Sequence, residues 1–226
     1  MSNFNRLVVF GCSNTAGEGL KVSNEVDGQD ISDLGWPNKL ATMMGIDEVV
    51  NYGVGGQGNK RILHRVFEKE TDGSINPDTD VVVILWSYFC RHCIFHDDGS
   101  IERFLPSAIK HFKPVKRKNH MKKEARAYKW YADYHSFEDQ IFENYTRLSH
   151  AHHYLNNKDI RYHGFTCEDK INSPLPTWFD DTALRFIDIH EISNRLGYAD
   201  DDSHPSELGH SDIAEIMYNH ITRKAA

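Results

Sequence analysis

The chain has 226 residues, 39% hydrophobic and 26% charged, which is the make-up of a soluble globular protein long enough for one well-buried domain. A formal net charge of -7 at pH 7 argues against general nucleic-acid affinity. No apolar run approaches the roughly 20 residues that a membrane helix needs, and an apolar strand begins by about Arg6, so no secretory leader is expected and a cytoplasmic location is the default.

Taken in chain order, strand-like apolar runs occur at Leu7 to Phe10, Val49 to Asn51, Val81 to Trp86, Ile160 to Phe165 and Phe186 to Ile189. Helical patterns fall between them, over Trp36 to Met44, Asn59 to Lys69, Phe137 to Asn156 and Glu207 to Thr222. This alternation predicts an α/β protein with a parallel sheet covered on both faces. The run Val81-Val82-Val83-Ile84-Leu85, apolar throughout, predicts a central strand buried on both sides. Ile213, Ile216, Met217 and Ile221 place an apolar stripe on the final helix. No repeat or Pro/Gly/Ser linker marks a second domain, so residues 1–226 are expected to form one domain, with an insertion at about 97–135.

Within that insertion, Lys110 to Lys129 carries nine Lys or Arg against the single acid Glu124, followed by Trp130, Tyr131 and Tyr134. Such a segment either grips a polyanion or sugar chain, or is a solvated excursion whose aromatics pin it to the body. The four cysteines, Cys12, Cys90, Cys93 and Cys167, are too few and scattered for a disulfide scaffold. Cys90-Arg91-His92-Cys93, with His96 close behind, invites a zinc or redox reading against one of free thiols packed under a loop. Among the fourteen histidines, His150, His152 and His153 read as one polar helix face in preference to a metal site.

Three short stretches carry chemistry. In "VVFGCSNTAGEGL", Gly11 releases the first strand into a turn and puts Ser13 just beyond the strand's carboxyl end, where α/β sheets bind ligands; capping of the next helix is the plainer role. In "VVNYGVGGQGN", glycines after the second strand let backbone N–H groups approach an oxyanion or phosphate, and the absence of G-x-x-x-x-G-K-[ST] disfavours phosphate. In "DDDSHPSELGH", Asp201 precedes His204 by three residues, and Ser206 is placed to cap the last helix. A serine hydroxyl needs a histidine to take its proton and a carboxylate to orient that histidine, and a D-x-x-H spacing lets Asp201 reach His204 within one loop.

The order of these stretches resembles the SGNH (GDSL-type) hydrolase family. "FGCSNTAGEG" lies on G-D-S-x-x-x-G through Gly11, Ser13 and Gly17, Trp36-Pro37 resembles the start of the next helix, Asn51 opens N-x-x-x-x-G, and Asp201 and His204 fall on D-x-x-H. The resemblance implies a three-layer α/β/α sandwich with a flavodoxin-like parallel sheet, Ser13 as nucleophile with Asp201 and His204, and an oxyanion hole from the backbone N–H groups of Ser13 and Gly56. Two positions depart from the pattern: Cys12 replaces the signature aspartate, and Trp86-Ser87-Tyr88-Phe89 stands where G-x-N-D is expected. Ser87, Tyr88 and Arg91 are the candidates for the third oxyanion donor. The implied activity is hydrolysis of a small-molecule or carbohydrate ester, an O-acetyl group for example, with no cofactor and no metal. A degraded scaffold that binds a glycan or polyanion, and an O-acyltransferase using the same residues, stand as alternatives. Acyl and alcohol identity and oligomeric state are not legible.

Overall fold

The computed structural model describes residues 4–105, 120–133, 136–167, 179 and 184–223. Five parallel strands form the central sheet: β1 (Arg6–Gly11), β4 (Glu48–Gly53), β5 (Asp80–Trp86), β8 (Arg161–Thr166) and β9 (Leu184–Phe186), in the spatial order β4-β1-β5-β8-β9. Among themselves these strands run 2-1-3-4-5, the flavodoxin-like doubly wound order. Registers pair Gly11 with both Gly53 and Leu85, and Leu85 with Phe165, so four strands end level.

Alternation along the strands builds two cores. Leu7, Val9, Val81, Val83 and Leu85 face one side with Trp36 and Leu40 of α2 (Trp36–Met44), Ile192 of α6 (Ile189–Leu196) and Ile213, Met217 and Ile221 of α7 (Glu207–Arg223). Val8, Phe10, Val82, Ile84 and Trp86 face the other with Ile62 and Val66 of α3 (Asn59–Thr71) and Tyr145, Leu148 and Leu155 of α5 (Phe137–Asn157). Every residue of β5 is buried, as the apolar run predicts for a central strand. Helices on both faces of a parallel sheet make the three-layer α/β/α architecture expected from the sequence.

The expected strand Phe186 to Ile189 is displaced. β9 ends at Phe186, and Asp188 caps α6, its Oδ1 accepting from the Glu191 N–H at 2.8 Å. After β5 come a hairpin, β6 (His92–Phe95) with β7 (Ile101–Phe104), and then α4 (His120–Asp133). Trp130 stacks on His92 with centroids 4.2 Å apart, and the Tyr131 hydroxyl bonds the carbonyls of Cys90 and Phe104 at 2.6 and 2.9 Å. These two aromatics therefore pack α4 against the β6–β7 hairpin and the turn that precedes it. Residues 110–119 of the basic stretch, and Tyr134, lie outside the described residues. A second hairpin, β2 (Asn24–Val26) with β3 (Gln29–Ile31), precedes α2. No helix among the described residues is long and apolar enough to cross a membrane.

Candidate active site

Beyond β1 the chain enters α1 (Ser13–Ala16), a single helical turn. A Cβ on Gly11 would lie 2.0 Å from Thr15 Oγ1 and 2.8 Å from the Leu85 carbonyl oxygen, so glycine is what lets the strand break there. Cys12 is extended, Ser13 is the first helical residue, and Gly17 in the left-handed region (φ 76°) closes the turn by donating to the Ser13 carbonyl at 3.0 Å. Asn51 fixes this turn from β4: its Nδ2 donates to the Thr15 carbonyl at 2.7 Å, while its Oδ1 accepts from the Gly53 N–H at 2.8 Å. Ser13 is 2% exposed, and among the described residues its hydroxyl makes no hydrogen bond.

The loop between α6 and α7 carries Asp201 and His204. Asp201 Oδ1 accepts from the N–H groups of Ser203 and His204, each at 3.0 Å, and Oδ2 pairs with His204 Nδ1. Burial alone would raise the Asp201 carboxyl, but these three bonds outweigh it and hold the group down at about 2. With Nδ1 facing the carboxylate, Nε2 of the neutral ring carries the lone pair. Ser206 behaves as its position predicts, its Oγ accepting from the Gly209 N–H at 3.2 Å at the start of α7.

This loop packs directly on the segment that follows the serine turn. A Cβ on Gly19 would meet Asp201 Cγ at 2.8 Å, and His204 Nε2 lies 3.9 Å from Glu18 Oε2. Glu18 in turn donates its backbone N–H to the Ser13 carbonyl at 3.1 Å. Asp201 and His204 are thus joined, and Ser13 is brought to an adjoining segment. No hydrogen bond links Ser13 to His204 among the described residues, and Glu18 is the group facing Nε2.

After β4, Gly56 adopts φ 69°, and its backbone N–H and that of Ser13 make no hydrogen bond among the described residues. The turn after β5 is held by two buried asparagines. Asn59 accepts from the Ser87 N–H at 2.7 Å and donates to the Ser87 carbonyl at 3.0 Å, and its Nδ2 also reaches Asn144 Oδ1 at 2.8 Å. Asn144 donates to the Phe89 carbonyl at 3.1 Å. The Ser87 hydroxyl is closed off from solvent and faces the buried Cys12 thiol. The Tyr88 ring stacks on His190 with centroids 5.6 Å apart, and the Arg91 guanidinium carbon lies 5.1 Å from its centre. Sequence reasoning missed Asn59 and Asn144, although a polar residue between Ile141, Tyr145 and Leu148 on the buried face of α5 is a usable signal.

Under the serine turn, Asn14 Nδ2 lies 3.9 Å from Cys12 Sγ and 3.6 Å from Cys167 Sγ, both thiols being buried. The contact with Cys167, together with the charge of Arg91, holds the Cys12 thiol below its ordinary range. The Cys90–Cys93 pair leads into strand β6, not into the helix a thioredoxin-type motif requires. Among the described residues no three His, Cys, Asp or Glu are placed to hold a metal ion. His150 packs edge-on against Phe67, and His152 tilts against Tyr162.

A family model described as a family of unknown function (DUF6071) matches residues 26–213. No curated protein sequence matches the chain. Similar solved structures include the lipase Lip_vut3 from a goat rumen metagenome, 14% identical, covering 95% of this chain and 96% of that one with a TM-score of 0.55. They also include the acetyl xylan esterase Est2A of Butyrivibrio proteoclasticus, 12% identical, covering 98% of this chain and 64% of that one with a TM-score of 0.52. The psychrotrophic esterase EstA from Pseudoalteromonas sp. is 13% identical over 98% of both chains, with a TM-score of 0.50. The chain therefore belongs to the DUF6071 family, and it shares its three-layer α/β/α fold with these lipase and esterase structures.

Proposed function

We propose that this protein is a divergent SGNH-type serine esterase acting on a small-molecule or carbohydrate ester. The observation that carries the reading is the Asp201–His204 pair, hydrogen-bonded through Nδ1 and packed on the segment leaving the Ser13 turn. Ser13 Oγ attacks the acyl carbonyl while His204 Nε2 takes its proton, and Asp201 holds the imidazole and stabilises the imidazolium. The unused N–H groups of Ser13 and Gly56 receive the oxyanion. His204 then protonates the leaving alcohol, and a water activated by the same nitrogen releases the acid. For this sequence Glu18 must give up its place beside Nε2, a small side-chain movement because the carboxylate is 54% exposed. Catalytic hydrogen bonds are often long or unformed without substrate and tighten when it binds.

The test is acid release from short-chain p-nitrophenyl esters and acetylated xylan at pH about 8, where a histidine base is neutral. Hydrolysis that disappears in Ser13→Ala supports the esterase. A second reading, a scaffold that binds a glycan without cleaving it, is favoured by the absence of a side-chain amide in the Ser87–Phe89 turn. No release from any ester, with glycan binding that survives Ser13→Ala, would establish it. Acyl transfer to a sugar hydroxyl uses the same residues and differs in the acceptor that the pocket admits.

A further inference from the structure

From β1 the chain goes to β4 on one side and then returns past β1 to β5 on the other, so the sheet changes direction between β1 and β5. In doubly wound sheets the crevice beyond the strand ends at this switch is where ligands bind. Cys12 and Ser13 leave β1 there, and Ser87 to Arg91 leave β5 there. The Arg91 N–H donates to the Tyr88 carbonyl at 3.1 Å, a tight turn that brings the arginine back over the Tyr88 ring, with its guanidinium carbon 5.1 Å from the ring centre. Its main chain is wedged against the glycine loop: a Cβ on Gly58 would lie 2.6 Å from the Arg91 carbonyl oxygen. Arg91 is therefore fixed between the exits of β4 and β5.

Several arginines of the molecule face carboxylates, whereas Arg91, like Arg103 and Arg161, has no ion pair among the described residues. Arg6 pairs with Asp80, Arg147 with Glu143, and Arg195 with Glu191 and Asp212. Among the described residues no carboxylate approaches the Arg91 guanidinium and no hydrogen bond uses it, and its Nη1 is closed off from solvent without a partner. The ionisable groups around it are the thiols of Cys12, Cys167 and Cys90 and the phenol of Tyr88. A buried donor left without a hydrogen-bond partner in a native structure calls for a physical reason, and a bound anion is one such reason. The residue as a whole is only half-buried.

We propose that Arg91 binds an anionic oxygen in this crevice, in the role of the missing side-chain amide. That oxygen is either the oxyanion that develops on the acyl carbonyl or a permanent carboxylate or phosphonate-like group on the substrate. The first source rests on the esterase reading above. A guanidinium presents a planar fork of donors and stays charged across the working pH range, so it stabilises a full negative charge in a low-dielectric site more strongly than an amide does.

The experiment compares wild type, Arg91→Ala and Arg91→Gln on p-nitrophenyl acetate and on mono-p-nitrophenyl succinate, whose acyl group carries a carboxylate. If the oxyanion is the ligand, both substitutions lower kcat about a hundredfold on both esters with little change in KM, and millimolar guanidinium ion restores part of the activity of Arg91→Ala. If the substrate's own charge is the ligand, KM rises for the succinate ester alone. Ethylphosphonate binding, measured by calorimetry on wild type and Arg91→Gln, reads the site without catalysis. Kinetics within about threefold of wild type on both esters, together with unchanged ethylphosphonate binding, would overturn the proposal. Should wild type cleave neither ester, the esterase reading falls and ethylphosphonate decides: binding lost in Arg91→Gln supports the anion site, whereas no binding, or equal binding, removes it.

Discussion

Asn51 Nδ2 donates to the Thr15 carbonyl at 2.7 Å, tying the end of β4 to the inside of the turn that presents Ser13. A one-turn helix leaves its carbonyls without intrahelical partners, so Thr15 depends on this donor, and the Gly53 N–H depends on the same residue's Oδ1. Asn51→Ala strands both backbone groups and is expected to destabilise the fold by on the order of 1–3 kcal/mol for each. Asn51→Asp keeps an acceptor for Gly53 and is expected to fall between wild type and Asn51→Ala. Urea denaturation of the three proteins measures this, and an unchanged midpoint in Asn51→Ala would show that water replaces the side chain.

Asn59 and Asn144 act as one unit on the Ser87–Phe89 turn, since they share a hydrogen bond at 2.8 Å and each holds a backbone group of that turn. The expected result is that Asn59→Ala and Asn144→Ala each destabilise the protein and that the double variant loses about 1 kcal/mol less than the sum. A double-mutant cycle in denaturant measures the coupling; strict additivity would mean that the shared bond is energetically idle.

His210 is buried with its Nδ1 accepting from the Trp36 N–H at 3.2 Å. Burial, with a smaller contribution from His204 and Lys39, lowers its affinity for a proton until it titrates at about 3. An unfolded histidine titrates near pH 6.5. Between these values the unfolded chain binds the extra proton, so His210 contributes stability that is complete above about pH 6.5 and is lost as pH falls towards 3. The slope from this one group reaches at most about 1.4 kcal/mol per pH unit. Denaturation free energies at pH 7, 6, 5 and 4 should fall more steeply in wild type than in His210→Gln; parallel curves would contradict the prediction.

Asp201 has the opposite leverage: its contribution to stability is complete near neutrality and does not vary with pH there. Its depressed carboxyl contributes stability above its ordinary value near 4, and that contribution is lost as pH falls through about 2, so no part of it changes between pH 5 and 8. Asp201→Asn keeps an oxygen for the Ser203 and His204 N–H groups but removes the charge that holds His204. Esterase activity is expected to fall by about three to four orders of magnitude, as in triads that lose their carboxylate, with a loss of stability that is the same at pH 5 and pH 8. Retained activity would place the orienting charge elsewhere, with Glu18 the first residue to examine.

How far the sequence reaches is clearest at β5, where seven successive buried residues leave no other reading. Spacing also identified the serine turn, the glycine loop and the D-x-x-H loop, because those features depend on residues close in sequence. The hairpins β2–β3 and β6–β7 escaped because their strands are three or four residues long, too short for a clear alternation. The start of α6 was hidden in an apolar run, although Asp188 and Glu191 stand at capping distance. The asparagine lattice under the Ser87 turn joins positions 28 and 85 residues apart, and Glu18 meets His204 across most of the chain. Such contacts depend on tertiary packing, which no local pattern encodes.

The most direct test of Ser13 as a nucleophile activated by His204 is covalent capture. The purified protein is treated with a fluorophosphonate, which loses fluoride when a serine oxygen attacks phosphorus, and the adduct is located by peptide mass spectrometry. A single phosphonyl group on the Ser13 peptide is expected, absent in Ser13→Ala and formed far more slowly in His204→Ala. No adduct on wild type, or an adduct whose rate does not depend on His204, would contradict a serine esterase mechanism at this site.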